Sequence, residues 1–82
     1  MADVPERVRE FIEKRFRKEL AGRAVTPDTP LFSDGIVDSF GVLELIAFLE
    51  DAFSIDIDTG RHDIADFDSI TKISAIVTAA RP

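Results

Sequence analysis

Apolar side chains recur at Val4, Val8, Phe11, Ile12, Phe16 and Leu20, at offsets of 4, 7, 8, 12 and 16 from the first. That spacing keeps them on one face of a 3.6-residue period and predicts an amphipathic helix. Asp3 is the expected N-cap, with Glu6 as its capping-box partner. Pro5 suits the first turn, where a missing N–H costs nothing, and Gly22 suits the C-terminal cap. Glu10/Lys14 and Glu13/Arg17 are spaced to pair across one turn of the outer face.

The period disappears from Arg23 to Val37. Pro27 and Pro30 break regular structure and Asp34-Gly35 signals a turn, while Leu31, Phe32, Ile36 and Val37 read as apolar anchors of a structured connection. Helical spacing returns at Asp38. Phe40, Leu43 and Ile46 form one row and Val42, Leu45, Leu49 and Phe53 another, so this helix is expected to be central and to touch several neighbours. Asp38 or Ser39 caps it.

Ser54 to Asp58 alternates like a strand but has no second strand to pair with, so an extended connection pinned by Ile55 and Ile57 is predicted. Thr59 to His62 reads as a turn, and Asp63 to Phe67 as one short helical turn. A last helix starting at Asp68 or Ser69 should bury Ile70, Ile73, Ile76 and Val77, with Arg81 complementing its dipole. The sum is a small all-α bundle with a long first loop and a short third helix, one domain over residues 1–82.

Composition narrows the chemistry. With no cysteine there is no disulfide, thiolate nucleophile or thiolate zinc site, and a single histidine cannot build a multi-histidine metal centre. His62 is read as a surface-turn residue, Ser33, Ser54, Ser69 and Ser74 as caps or helix-surface residues, and the seven phenylalanines as core filling. A net charge of −6 argues against a nucleic-acid partner. Neither a signal peptide nor an apolar run of about 20 residues is present, so a cytoplasmic monomer without a membrane span is expected.

The charge is uneven. Residues 1–24 hold seven basic and five acidic side chains, whereas residues 25–82 hold three and eleven. Seven acids and no base fall between Asp34 and Asp58, which marks a candidate docking face for partners with basic patches. Ser39 stands at the entrance of the same helix. If Asp38 caps, the Ser39 hydroxyl is left free beside unpaired backbone N–H groups and the positive end of the helix dipole, a suitable attachment point for a phosphate-linked group.

The stretch Leu31-Phe32-Ser33-Asp34-Gly35-Ile36-Val37-Asp38-Ser39-Phe40, then Val42-Leu43-Glu44-Leu45, then Phe48-Leu49-Glu50-Asp51-Ala52-Phe53-Ser54-Ile55-Asp56-Ile57, resembles the acyl carrier protein family. Phe67-Asp68-Ser69-Ile70 continues the likeness, which covers nearly the whole chain. The resemblance implies a four-helix bundle and no catalytic activity of its own. It implies that a phosphopantetheinyl transferase loads Ser39 with 4′-phosphopantetheine from coenzyme A, whose thiol then carries an acyl or aminoacyl group as a thioester. Asp38 would belong to the attachment motif, and Phe40, Glu44, Glu50 and Asp51 match positions presented to acyl- or aminoacyl-activating and transferring enzymes.

Some residues depart from the family pattern. Phe40 stands where members of fatty-acid synthesis usually have leucine, and Gly41 weakens the first helical turn by ~1 kcal/mol relative to alanine. Ser39-Phe40-Gly41 is similar to D-alanyl and other specialised stand-alone carriers. Thr59-Gly60-Arg61-His62 replaces a Pro-rich acidic stretch, and the Gly-Gly-x-Ser pattern of many peptidyl carriers is absent. The leading expectation is an acyl carrier of fatty acid, polyketide or related biosynthesis. An aminoacyl or D-alanyl-type carrier and an unmodified acidic helical interaction domain are the alternatives.

Overall fold

A computed structural model describes residues 4–80. Helices α1 (Val4–Arg15), α2 (Arg17–Leu20), α3 (Ser39–Phe53) and α4 (Ile70–Ala80) are joined by a long first loop and, between α3 and α4, by two 3-10 turns at Thr59–Arg61 and Ile64–Phe67. No strand occurs among the described residues. The all-α, acyl-carrier-type bundle is therefore the observed fold, with the short helix expected at 63–67 realised as the 3-10 turn Ile64–Phe67. No described helix is long and apolar enough to cross a membrane.

The first helix is broken where the apolar period ran on. Phe16 leaves helical geometry (φ −112°, ψ 32°), yet its N–H still reaches Ile12 and its carbonyl still receives Leu20 N–H, so α2 continues α1 after a one-residue irregularity. That irregularity accompanies a buried Phe16 ring, only 4% exposed. Ala21 takes a left-handed cap position (φ 51°), its N–H reaching the carbonyls of Arg17 and Lys18, and the expected Gly22 follows it with φ +86°. Pro5 lies in the first turn as expected, while the Asp3 cap and the Arg81 dipole contact fall outside the described residues.

Val8, Ile12, Leu31, Leu45, Leu49, Ile73 and Val77 are wholly buried and form the axis on which α1, α3 and α4 meet. Full burial of one such side chain contributes about 1.5–3 kcal/mol. Ile55 and Ile57 pin the extended connection to the core, as the alternation predicted. The phenylalanines do not all fill the core. Phe16 and Phe67 are buried, Phe11, Phe32, Phe48 and Phe53 pack at its edge, and Phe40 is 77% exposed. Ile76 and Ser74 are likewise only half-buried.

The outer-face ion pairs also differ from the i,i+4 expectation. Among the described residues, Arg9 pairs with Glu6, and Arg15 reaches across to Glu44 on α3. Neither Glu10/Lys14 nor Glu13/Arg17 closes to ion-pair distance.

Asp68 does more than head the last helix. Ser69 Oγ accepts the Lys72 N–H there, leaving the Asp68 carboxylate to hold the first loop. It accepts Phe32 N–H at 2.7 Å, Ser33 N–H at 3.2 Å and the Ser33 hydroxyl at 2.9 Å, and Leu31 N–H donates to the Asp68 carbonyl at 2.7 Å. Desolvation pushes the Asp68 carboxyl up, but these hydrogen bonds and the Lys72 charge outweigh it, and the group is held below its ordinary value. A carboxylate depressed in the folded state stabilises above its unfolded pKa of about 3.9, and that contribution is lost as pH falls through the lower folded value. Asp68→Ala should therefore lower stability by about 1–2 kcal/mol at neutral pH. In urea titrations the gap between the two proteins should narrow below about pH 4. A constant gap down to strong acid would show that the clamp does not depend on the carboxylate charge.

Candidate functional site

The loop that Asp68 anchors delivers the chain to the start of α3. Ile36 and Val37 are buried, and their N–H groups both donate to the Leu31 carbonyl, at 3.0 and 2.9 Å. Gly35, at φ +74°, supplies the left-handed turn that the Asp34-Gly35 pair foretold. This packing fixes where the next two residues emerge.

Asp38 is the N-cap. Its backbone is extended, its Oδ1 accepts Gly41 N–H at 2.7 Å, and its carbonyl accepts Val42 N–H at 3.0 Å. With that duty taken, Ser39 is the first residue of α3, exposed, and its hydroxyl has no hydrogen-bond partner among the described residues. The N–H groups of Ser39 and Phe40 have no intrahelical acceptor, as the geometry of a helix start requires. The site thus offers an accessible hydroxyl, two free amides and the positive end of a 15-residue helix. A singly charged phosphodiester fits such a place, so the residues present suit a phosphate-linked prosthetic group.

The other expected site residues separate. Phe40 projects into solvent beside Ser39, and Asp51 is exposed. Glu44 is engaged, because its two oxygens accept Arg15 Nη2 at 2.6 Å and Nε at 2.7 Å in a bidentate pair. Glu50 is half-buried, and its Oε2 accepts Ile57 N–H at 3.0 Å, which holds the extended connection against α3. Of Glu44, Glu50 and Asp51, only Asp51 lacks an internal partner among the described residues.

Two exposed apolar residues were not singled out from sequence as site residues. Leu43 is 61% exposed and lies one turn from Phe40, and Ile64 is 47% exposed on the 3-10 turn that packs against α3. The signal for Leu43 in the sequence was an apolar face on α3 wider than a helix with one buried face requires. His62 sits 3.6 Å from Asp66 and edge-on to Phe67, and no metal-ligating cluster occurs among the described residues.

Residues 6–78 match a protein family described as "Phosphopantetheine attachment site". The chain belongs to this family of phosphopantetheine-dependent carrier proteins. The D-alanyl carrier proteins of Streptococcus sanguinis and Streptococcus thermophilus are each 33% identical to it over 79 residues, 96% of both chains. That of Streptococcus suis is 32% identical over 71 residues, 87% of this chain and 86% of its own. A carrier of this family bears 4′-phosphopantetheine covalently on a serine and is acted on by separate enzymes rather than being one. The arm, when attached, supplies a thiol on which cargo is held as a thioester.

Proposed function

We propose that Ser39 is the attachment serine and that the chain, as one carrier domain over residues 1–82, presents a small aminoacyl group of the D-alanyl kind to partner enzymes. The observation that carries the site is the free, exposed Ser39 hydroxyl at a helix start already capped by Asp38. Ser39 contributes the oxygen of the new phosphodiester. Its proton passes to the transferase, and the adenosine 3′,5′-bisphosphate part of coenzyme A departs.

Asp38 holds the first turn so that this oxygen points outward. The dipole and free amides of α3 then favour the negative charge placed there. No general base or oxyanion donor of the carrier's own is needed, since its contribution is tethering cargo at high effective concentration.

Two observations favour small cargo. The relatives named D-alanyl carriers align over nearly the whole chain, and Ile12, Leu45, Leu49 and Ile73, each at 0% exposure, fill the bundle axis. Cargo then remains outside the core and is handed directly to the partner.

The test is stepwise. The protein is treated with a broad-specificity phosphopantetheinyl transferase and coenzyme A, and intact mass should rise by one arm. The loaded carrier is then offered a D-alanine-activating enzyme with ATP or, separately, a fatty-acyl-activating enzyme. A hydroxylamine-labile gain from D-alanine supports the aminoacyl reading; efficient loading with fatty acyl alone would replace it with the acyl one.

Phe40, Leu43 and Ile64 form the apolar part of the docking face on this reading. Phe40→Ala with Leu43→Ala should slow loading about tenfold, as truncation of interface anchors does. Being exposed, the pair should shift stability by no more than about 0.5 kcal/mol each. Unchanged loading kinetics would remove these side chains from the interface.

A further inference from the structure

Beyond the Ser39 face, α1 and α3 leave an open groove of about 530 Å³ between them, lined by Arg7, Glu10, Phe11, Lys14, Arg15 and Phe48. The two helices run in opposite directions, because Arg7 Nη1 donates to the Ala52 carbonyl at 3.3 Å while Arg15 meets Glu44 a helix-length away. The Phe11 and Phe48 rings stack with centroids 4.3 Å apart and planes 13° from parallel, forming an apolar floor. Arg7 is fixed at one end, its guanidinium 5.0 Å above the Phe53 ring, and Arg15 at the other, 5.4 Å above the Phe16 ring. Lys14 has no carboxylate within ion-pair distance among the described residues. Three cations and one acid thus rim an aromatic trough on a protein whose net charge is −6.

Its position matters as much as its charge. Phe48 follows Ser39 by nine residues, roughly two and a half helical turns, so the two lie on opposite faces of α3. A partner seated in the groove leaves the serine uncovered.

We propose that this groove is a second docking surface, which takes an acidic amphipathic helix of a partner protein. A trough between two oppositely directed helices suits a third helix laid along it, with apolar anchors on Phe11 and Phe48 and carboxylates against Arg7 and Lys14. The complementarity of charge selects an acidic partner and steers its approach. A flat anionic bilayer fits less well, because the aromatic floor is recessed between the cations rather than projecting beyond them. Occupied in this way, the carrier is held close to an assembly while Ser39 stays available to the enzymes that modify, load and unload it.

The experiment uses the full unmodified chain, labelled with nitrogen-15, and a synthetic helical peptide with leucines along one face flanked by glutamates. A counterpart with lysine in place of each glutamate is the control. The acidic peptide should shift the amides of Phe11, Lys14 and Phe48 and leave those of Phe40 and Leu43 in place. Lys14→Glu should weaken it about fivefold, and Glu10→Lys should strengthen it by a similar factor, the scale of exposed ion pairs. The transferase should modify Ser39 at an unchanged rate with the peptide saturating.

Equal binding of both peptides, or no perturbation in the groove, would overturn the proposal. So would groove shifts produced by anionic phospholipid vesicles but not by the peptide. Concentration-dependent dimerisation that perturbs the same residues would assign the groove to a second copy instead. Binding is read on the unmodified chain, so its failure leaves the reading of Ser39 untouched.

Discussion

Ser39→Ala should gain no mass at all when treated with a phosphopantetheinyl transferase and coenzyme A, while folding almost as stably as the parent. Both halves follow from the division of work between adjacent residues. Serine at a helix start commonly serves as the cap, and its loss then costs about 1 kcal/mol. Here the Gly41 N–H is satisfied by Asp38 Oδ1, and Ser39 is exposed without a partner of its own among the described residues. Removing its hydroxyl should therefore change stability by no more than about 0.5 kcal/mol.

Asp38→Ala makes the opposite trade, keeping the nucleophilic oxygen but losing about 1 kcal/mol of helix stability. The readouts are intact mass and urea midpoint for each variant. Residual single modification of Ser39→Ala would mean that another hydroxyl carries the arm. The other serines are Ser33, Ser54 and Ser69, which are exposed or half-buried, and Ser74, whose Oγ is buried.

Phe16→Ala should have the largest effect on stability, about 3–5 kcal/mol. A domain of this size is held by only about 4–12 kcal/mol in total, so the variant should be substantially unfolded at 37 °C. Phe16 is 4% exposed, meets Phe11 edge-to-face at 6.3 Å and packs directly on the backbone of Gly41. That last contact explains why a glycine sits in the first turn of α3. A Cβ at position 41 would lie 2.7 Å from Phe16 Cε1 and 3.1 Å from Val37 Cγ1.

Helix propensity alone favours Gly41→Ala by about 1 kcal/mol. Overpacking against a ring already wedged in the core costs about 1–3 kcal/mol, so the net change should be destabilising. Thermal melts of Gly41→Ala and Phe16→Ala settle the point. A rise in Tm for the alanine at 41 would show that the ring yields freely and does not brace the turn beside Ser39.

The helices were legible because their apolar residues repeat at helical spacing, and Ile55 and Ile57 because an unpaired alternating segment can only pin a connection. The free hydroxyl of Ser39 was legible through its place at a helix start beside a second capping residue, Asp38. The Asp68 clamp was not, since its partners lie 35 and 36 residues away and no local pattern encodes a contact at that separation. Periodicity also ran straight through Phe16, because the one-residue irregularity there leaves the apolar spacing unbroken. The contacts of the α3 acids were not legible for a related reason: charge is visible in a sequence, but the pairing of Glu44 with Arg15 depends on the neighbouring helix. Phe40 and Leu43 counted as apolar although the bundle had no place for them.

On the proposed docking role of Glu44, the Arg15–Glu44 pair turns recognition at that position into an exchange. A partner cation that claims Glu44 displaces a guanidinium already held by two short hydrogen bonds, so the net gain is the difference between two similar contacts. Affinity at that position should consequently be low and easily reversed, which suits a shuttle that must leave each enzyme it visits. The displaced Arg15 lines the groove floored by Phe11 and Phe48, and Glu44 precedes Phe48 by one helical turn, so an encounter at Glu44 alters the charge that the groove offers.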